Sequence, residues 1–123
     1  MLVVDDNRQI SELYKSILDS SDLICYVANS GKECMKILCD YADNNDKGID
    51  MVLLDLAMPE MDGISLLKKL RADPKINGTK IVVITALSLP DGESHEIKEK
   101  YGVLSVVRKP IAKGELLQII DGH

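Results

Sequence analysis

The stretch MVLLDLAMPEMDG, residues 51–63, begins with a short apolar run that ends abruptly in an aspartate, Asp55. The stretch LVVDDNRQ, residues 2–9, repeats the pattern and ends its run in Asp5 and Asp6. Neither run alternates apolar with polar residues. Near-continuous runs of Val, Ile and Leu are typical of strands covered on both faces, as in parallel sheets. Both stretches therefore predict buried parallel strands that end in carboxylates.

Five such runs alternate with segments of helical spacing. The apolar runs are residues 2–4, 23–27, 51–54, 80–84 and 104–107. Helical spacing covers residues 10–18, 35–41, 64–70, 93–101 and, at the end of the chain, 112–120. Five strands alternating with five helices predict an α/β fold, a (βα)5 unit built from right-handed crossovers. The expected sheet is doubly wound, five-stranded and parallel, in the flavodoxin-like order 2-1-3-4-5, with its switch point between strands 1 and 3.

Length and composition indicate a single soluble domain over residues 1–123. The chain has 123 residues, of which 46% are apolar, enough for one hydrophobic core. Its apolar runs are far too short for a membrane span, and no basic segment followed by an apolar one opens the chain, so we expect a cytoplasmic protein without a membrane partner. Cys25, Cys34 and Cys39 are odd in number and lack a C-x-x-C spacing, which favours plain apolar residues in a reducing compartment.

The charge balance argues against direct binding to nucleic acid. With 15 basic and 20 acidic residues, the net charge is -5. The sequence also contains no Trp and no Phe, so the aromatic stacking surfaces of a single-strand binder are not expected.

The acidic residues after strands 1 and 3 should converge, because the carboxyl ends of these parallel strands meet at one edge of the sheet. Two carboxylates about 4 Å apart repel by roughly 4 kcal/mol at an effective dielectric constant of 20, so three of them need a cation or a shared proton. Hard oxygen ligands suit Mg²⁺, which keeps several waters and often shares its shell with a phosphate. Asp5, Asp6 and Asp55 therefore predict a Mg²⁺ site that also receives a phosphoryl group.

Two further strand ends add polar groups to the same edge. Thr85 follows the run KIVVI and offers a hydroxyl, and Lys109 follows SVVR and offers an ammonium group. A metal site, a carboxylate nucleophile, a hydroxyl donor and a cation are the components of phosphoryl transfer to an aspartate. Each residue also has a simpler interpretation; Asp6 or Asn7, for example, could only cap the following helix. Their conjunction on four strand ends favours the functional interpretation.

The motifs VVDD, LLDLAMPEMDG, VITA and RKP occur here in the order found in the receiver domain of two-component response regulators, which the whole chain resembles. The resemblance implies that a histidine kinase or phosphotransfer protein donates a phosphoryl group to Asp55. It implies a signalling domain that catalyses only its own phosphorylation and dephosphorylation. Phosphorylation would alter the surface near helix 4 and strand 5, which a downstream output domain or protein would recognise.

The resemblance also assigns a role to each residue of the metal site. Asp6 is expected to bind Mg²⁺ directly, and Asp5 is expected to hold it through water. The carboxylate of Asp55 and the backbone carbonyl of Ala57 would complete the contribution of the protein.

Around the phosphoryl group, the resemblance implies a hydrogen bond from Thr85 and an ion pair with Lys109. It also implies a cis peptide bond between Lys109 and Pro110, since proline is the residue for which the cis form costs little.

The sequence departs from the family pattern at two places. Strand 5 usually carries Phe or Tyr three residues before the lysine, and Val106 stands there instead. The segment LSLPDG, residues 87–92, places Pro90 just before helix 4. Neither departure affects the phosphorylation chemistry, but both lie in the region near helix 4 and strand 5 that would transmit the output.

Two alternative functions are compatible with the same topology. A phosphatase of the haloacid-dehalogenase type would form an aspartyl phosphate, but it places a second aspartate two residues after the nucleophile, where this chain has Ala57. A flavin-binding flavodoxin-like module would need a phosphate-binding loop rich in Ser, Thr and Gly after strand 1, where this chain reads VVDDNRQI.

Overall fold

Strands and helices alternate along the chain, as the apolar runs predict. A computed structural model describes residues 1–20, 25–43, 51–55, 63–74, 76–85, 91–108 and 113–121. The strands are β1 (Leu2–Val4), β2 (Tyr26–Ala28), β3 (Met51–Leu54), β4 (Lys80–Thr85) and β5 (Ser105–Arg108). The helices are α1 (Arg8–Asp19), α2 (Gly31–Asp43), α3 (Gly63–Ala72), α4 (Asp91–Tyr101) and α5 (Lys113–Asp121). Strand β2 begins three residues later than predicted and β5 one residue later, because an apolar run marks a strand more securely than it marks the ends of that strand.

The five strands form one parallel sheet in the predicted order β2-β1-β3-β4-β5. The register aligns the strand ends: Val4 lies opposite Leu54, and Leu54 lies opposite Val83. At the end of β4, Thr85 lies opposite Arg108 of the edge strand β5. The residues that follow β1 and β3 therefore emerge side by side at the carboxyl edge of the sheet.

The core consists of two layers, one on each face of the sheet. Alternate strand residues such as Val4, Leu54 and Val83 pack against α2, α3 and α4. Their neighbours, including Val3 and Leu53, pack against α1 and α5. Both faces are covered, which explains why the strands read as continuous apolar runs rather than alternating ones. Each fully buried side chain of this size contributes about 1.5 to 3 kcal/mol to stability.

The structure shows no disulfide among the three cysteines, of which Cys25 and Cys34 are buried and Cys39 is partly buried. Burial raises the pKa of Cys25 to about 11 and that of Cys34 to about 12. Both therefore stay protonated near neutral pH and act as small apolar side chains.

Arg71, near the end of α3, ties three segments together at the opposite edge of the sheet. Its Nε donates to the carbonyl of Tyr101 at 2.6 Å, and its Nη2 donates to that of Gly102 at 3.2 Å. Its Nη1 donates to the carbonyls of Asn77 and Thr79, both at 2.7 Å. Burial lowers the pKa of this guanidinium from its usual value. The side chain therefore anchors the carboxyl end of α4 to α3 and to the turn before β4.

Gly102 makes this ending of α4 possible. Its φ of +63° is a left-handed conformation, which glycine adopts without the steric cost of a Cβ atom. A cation near the last carbonyls of a helix is also favourable to the helix dipole.

Replacing Arg71 should lower stability much more than replacing an exposed cation of the same helix. We expect Arg71→Met to reduce the free energy of unfolding by about 2 kcal/mol, because four carbonyls, two of them in part-buried hydrogen bonds, lose a charged donor. Lys69→Met, at an exposed position, should change it by no more than about 0.5 kcal/mol. Urea denaturation followed by circular dichroism measures both, and equal effects of the two variants would contradict this role of Arg71.

Candidate functional site

Three carboxylates lie together at the carboxyl edge of the sheet. Ligand oxygens of Asp5, Asp6 and Asp55 lie within 4.8 Å of one another. Asp5 and Asp55 are buried, at 2% and 6% exposure, whereas Asp6 is exposed. The structure thus brings together all three aspartates that the sequence predicts to converge.

The sheet itself fixes the backbone of the two buried aspartates. The amide of Asp5 donates to the carbonyl of Ala28 at 3.1 Å, and the amide of Asp55 donates to that of Val4 at 3.0 Å. Both bonds continue the parallel ladder one residue beyond the strands. The carboxylates therefore start from a backbone that the core holds in place.

Asn7 connects this edge to α1. Its side-chain oxygen accepts hydrogen bonds from the amides of Gln9 and Ile10, at 3.0 and 3.2 Å, so Asn7 is the cap of the helix. Its own amide donates to Oδ1 of Asp5 at 2.9 Å. Of the two capping candidates in the sequence, Asn7 takes this role. The Asp5 carboxylate lies next to the positive end of the helix dipole.

Asn29 is a polar residue at this edge that the sequence analysis did not single out. It follows β2, and its Nδ2 donates to the backbone carbonyl of Asp5 at 2.8 Å and to Oγ of Ser11 at 3.0 Å. The sequence does place Asn29 directly after strand 2, and the order 2-1-3-4-5 makes strand 2 the neighbour of strand 1. That placement could have pointed to a residue near Asp5.

Thr85 closes β4 at the same edge and is buried, at 1% exposure. Lys109 directly follows β5 in the sequence but lies outside the described residues. The same holds for Ala57, for the Lys109–Pro110 peptide and for Pro90. The roles expected of these residues thus remain predictions.

The acidic cluster fits a small divalent cation. It offers three hard carboxylate oxygens, and the exposed Asp6 leaves one side open to solvent. In an octahedral Mg²⁺ shell the ligand oxygens stand about 3 to 4 Å apart, somewhat closer together than the 4.8 Å within which these oxygens lie. A cation would also remove the mutual repulsion of the carboxylates.

Comparison with known proteins finds one family that matches almost the whole chain. The family model described as the response regulator receiver domain matches residues 1–121. The chain is 34% identical over 86 residues to the transcriptional regulatory protein CpxR of Klebsiella pneumoniae, a match that covers 70% of this chain and 33% of that protein. It is 32% identical over 123 residues to the transcriptional regulatory protein GlrR of Escherichia coli, covering 98% of this chain and 25% of that protein. The matches thus cover a third or less of the length of these two relatives.

The fold is shared with solved receiver structures. The receiver domain of the Francisella response regulator 1452 superposes with a TM-score of 0.79 at 31% identity, covering 98% of this chain and 91% of that one.

In the part of the chain that the structure describes, no helix is long and apolar enough to cross a membrane.

Removing one charge from the cluster should stabilise the protein when no divalent cation is present. At the observed spread of 4.8 Å, each pair of charges repels by about 3 kcal/mol at an effective dielectric constant of 20. Hydrogen bonds and solvent offset part of this repulsion, so we expect Asp55→Asn to raise the free energy of unfolding by about 1 kcal/mol or more. Urea denaturation in a chelating buffer measures the change.

Asp19→Asn is the matched control. Asp19 is exposed and pairs with Lys15 at 2.6 Å, so losing its charge should leave stability unchanged or slightly lower. Equal stabilisation by both variants would mean that net charge, rather than the acidic cluster, is responsible.

Proposed function

The chain belongs to the receiver domain family of two-component response regulators, and on this premise we propose that Asp55 is its phosphoacceptor. The observation that carries the proposal is the convergence of Asp5, Asp6 and Asp55 at the end of β3, with Asp55 buried. An aspartate at this place has a rigid backbone, and the two neighbouring carboxylates can hold a cation beside it. The phosphatase and flavin alternatives find no support in the family match.

The metal site of the proposal consists of residues that follow β1 and β3 in the sequence. Asp6 and Asp55 would bind Mg²⁺ directly, the backbone carbonyl of Ala57 would add a third ligand, and Asp5 would act through water. When bound, Mg²⁺ supplies positive charge that neutralises the transferred phosphoryl group. The exposed side chain of Asp6 leaves room for the waters that this ion retains.

The chemical step requires Asp55 to be ionised. One of its carboxylate oxygens forms a bond to phosphorus while the bond from phosphorus to the donor histidine nitrogen breaks, and the electron pair returns to the imidazole. The Thr85 hydroxyl would donate a hydrogen bond to a phosphoryl oxygen, and the Lys109 ammonium would pair with another. These groups position and neutralise charge, as phosphoryl transfer requires.

The proposed partners follow from the family. A histidine kinase or a phosphotransfer protein would be the phosphoryl donor, and the domain, residues 1–123, would act in the cytoplasm. Its catalysis would be limited to its own phosphorylation and dephosphorylation. Because the curated relatives CpxR and GlrR are transcriptional regulatory proteins and their matches to this chain cover only 33% and 25% of their length, we propose that this domain controls an output domain or protein and does not contact nucleic acid itself.

The conformational response should appear mainly around α4. Val106 is half-buried and packs against the cluster that contains Ile97 and Tyr101 of α4. A β-branched side chain has one stiff torsion and little volume, so it cannot swing inward as the usual aromatic residue does. Arg71 holds the carboxyl end of α4 in place. The change should therefore be expressed in the segment after Thr85 and in the first turns of α4.

A small phosphodonor tests the assignment of Asp55. We expect the intact mass to increase by one phosphoryl group in the presence of Mg²⁺ and not after chelation, because the cation must neutralise the acidic cluster. Asp55→Asn should remove the addition, and Asp19→Asn should keep it. If Asp55→Asn were modified to the same extent as the wild type, Asp55 would not be the acceptor.

Hydrogen exchange tests the location of the response. With beryllofluoride as a phosphoryl mimic and Mg²⁺, the largest changes in protection should fall in residues 86–101. Within this range the carboxyl end of α4 should change least, because Arg71 anchors it. Changes confined to residues 104–107, with residues 86–101 unaffected, would show that β5 carries the response despite Val106.

A further inference from the structure

Asn29 lies at the carboxyl edge beside the acidic cluster but contributes no carboxylate to it. It is half-buried directly after β2, and both hydrogens of its amide nitrogen have acceptors. One acceptor is the backbone carbonyl of Asp5, at 2.8 Å, and the other is Oγ of Ser11, at 3.0 Å. The side chain therefore links β2 to β1 and to α1 at the point where the acidic cluster begins.

The direction of these hydrogen bonds is fixed. Ser11 is completely buried, and its hydroxyl donates to the carbonyl of Arg8 at 3.1 Å. A hydroxyl has a single hydrogen, so toward Asn29 it can only accept. The carbonyl of Asp5 can also only accept. Position 29 must therefore supply two donors, which an amide does and a carboxylate cannot.

The carbonyl that Asn29 contacts belongs to the peptide group joining Asp5 to Asp6. The amide on the other side of Asp5 is bonded to the carbonyl of Ala28 at 3.1 Å. The peptide groups before and after Asp5 are thus both tied to the end of β2. If the peptide group that joins Asp5 to Asp6 rotated, the Cα of Asp6 would move. The carboxylate of Asp6 would then turn away from those of Asp5 and Asp55.

We propose that Asn29, supported by Ser11, is a positioning residue that fixes the Asp5–Asp6 peptide group and so sets the Mg²⁺ affinity of the acidic cluster. This inference rests on the proposed function, since it takes the cluster to be a Mg²⁺ site. Asn29 touches neither the metal nor the phosphoryl group. It acts through the backbone, in the way that outer hydrogen-bond partners orient metal ligands elsewhere.

Isothermal titration of Mg²⁺ into the whole chain tests the proposal directly. For Asn29→Ala we expect the dissociation constant to rise about tenfold, the lower end of the range for outer partners of metal ligands. Ser11→Ala leaves the bond from Asn29 to the Asp5 carbonyl in place, so its dissociation constant should rise only about two- to threefold. Should Asn29→Ala fail to fold by circular dichroism, Ser11→Ala decides the question, and an affinity equal to wild type would then overturn the proposal.

Ser30→Ala is the matched structural control. Ser30 follows Asn29, and its Oγ accepts from the amide of Glu33 at 3.1 Å at the start of α2, so this variant loses a local hydrogen bond away from the acidic cluster. Its Mg²⁺ affinity should equal that of the wild type. If Ser30→Ala weakened Mg²⁺ binding as much as Asn29→Ala, or if Asn29→Ala bound Mg²⁺ as the wild type does, Asn29 would have only a structural role.

Phosphorylation by a small phosphodonor supplies an independent readout. In Asn29→Ala the Mg²⁺ concentration for half-maximal rate should rise with the dissociation constant, while the rate at saturating Mg²⁺ stays within about twofold of wild type. A lower rate at saturating Mg²⁺ with an unchanged half-maximal concentration would overturn the proposal. Wild-type protein that binds Mg²⁺ but takes no phosphoryl group would contradict the proposed function alone, whereas wild-type protein that binds no Mg²⁺ would overturn both.

Discussion

Three carboxylates held within 4.8 Å of one another repel strongly, and the sheet must hold them together against that repulsion. The parallel ladder does so by extending one residue past β1 and β3, where the amides of Asp5 and Asp55 are bonded to neighbouring strands. Because both faces of these strands are buried, their backbone cannot relax outward. The acidic cluster is thus preformed, and its electrostatic cost is offset by the core beneath it.

The two edges of the sheet have different roles. At the carboxyl edge, Asn7 and Asn29 hold the backbone and side chain of Asp5 with amide donors, so the charged groups are kept in position by neutral ones. At the amino edge, Arg71 uses four hydrogen bonds to carbonyls to join α3, the turn before β4 and the end of α4. Helix α4 begins six residues after the buried Thr85. The carbonyl of its last residue, Tyr101, accepts a hydrogen bond from Arg71. This arrangement anchors the carboxyl end of α4, which is why the proposed response to phosphorylation is expected at the other end of the helix.

The architecture and the acidic cluster could be predicted from the sequence because both depend on patterns along the chain. Continuous apolar runs reveal doubly covered strands, and the order 2-1-3-4-5 then places Asp5, Asp6 and Asp55 at one edge. The bonds of Asn29 and Arg71 could not be predicted in this way. Their acceptors are backbone carbonyls, which every residue has, and the pairings depend on how strand and helix ends meet in three dimensions. The roles of Lys109 and Ala57 remain predictions of the family resemblance.

A crystal structure of the protein with Mg²⁺ and beryllofluoride would test the central claim, that the acidic cluster is a Mg²⁺ site serving phosphorylation of Asp55. The account predicts beryllofluoride bonded to a carboxylate oxygen of Asp55 and one Mg²⁺ beside it, within reach of Asp5 and Asp6, with the Asp5–Asp6 peptide group still bonded to Asn29. Beryllofluoride on another side chain, or Mg²⁺ bound away from these three aspartates, would contradict it.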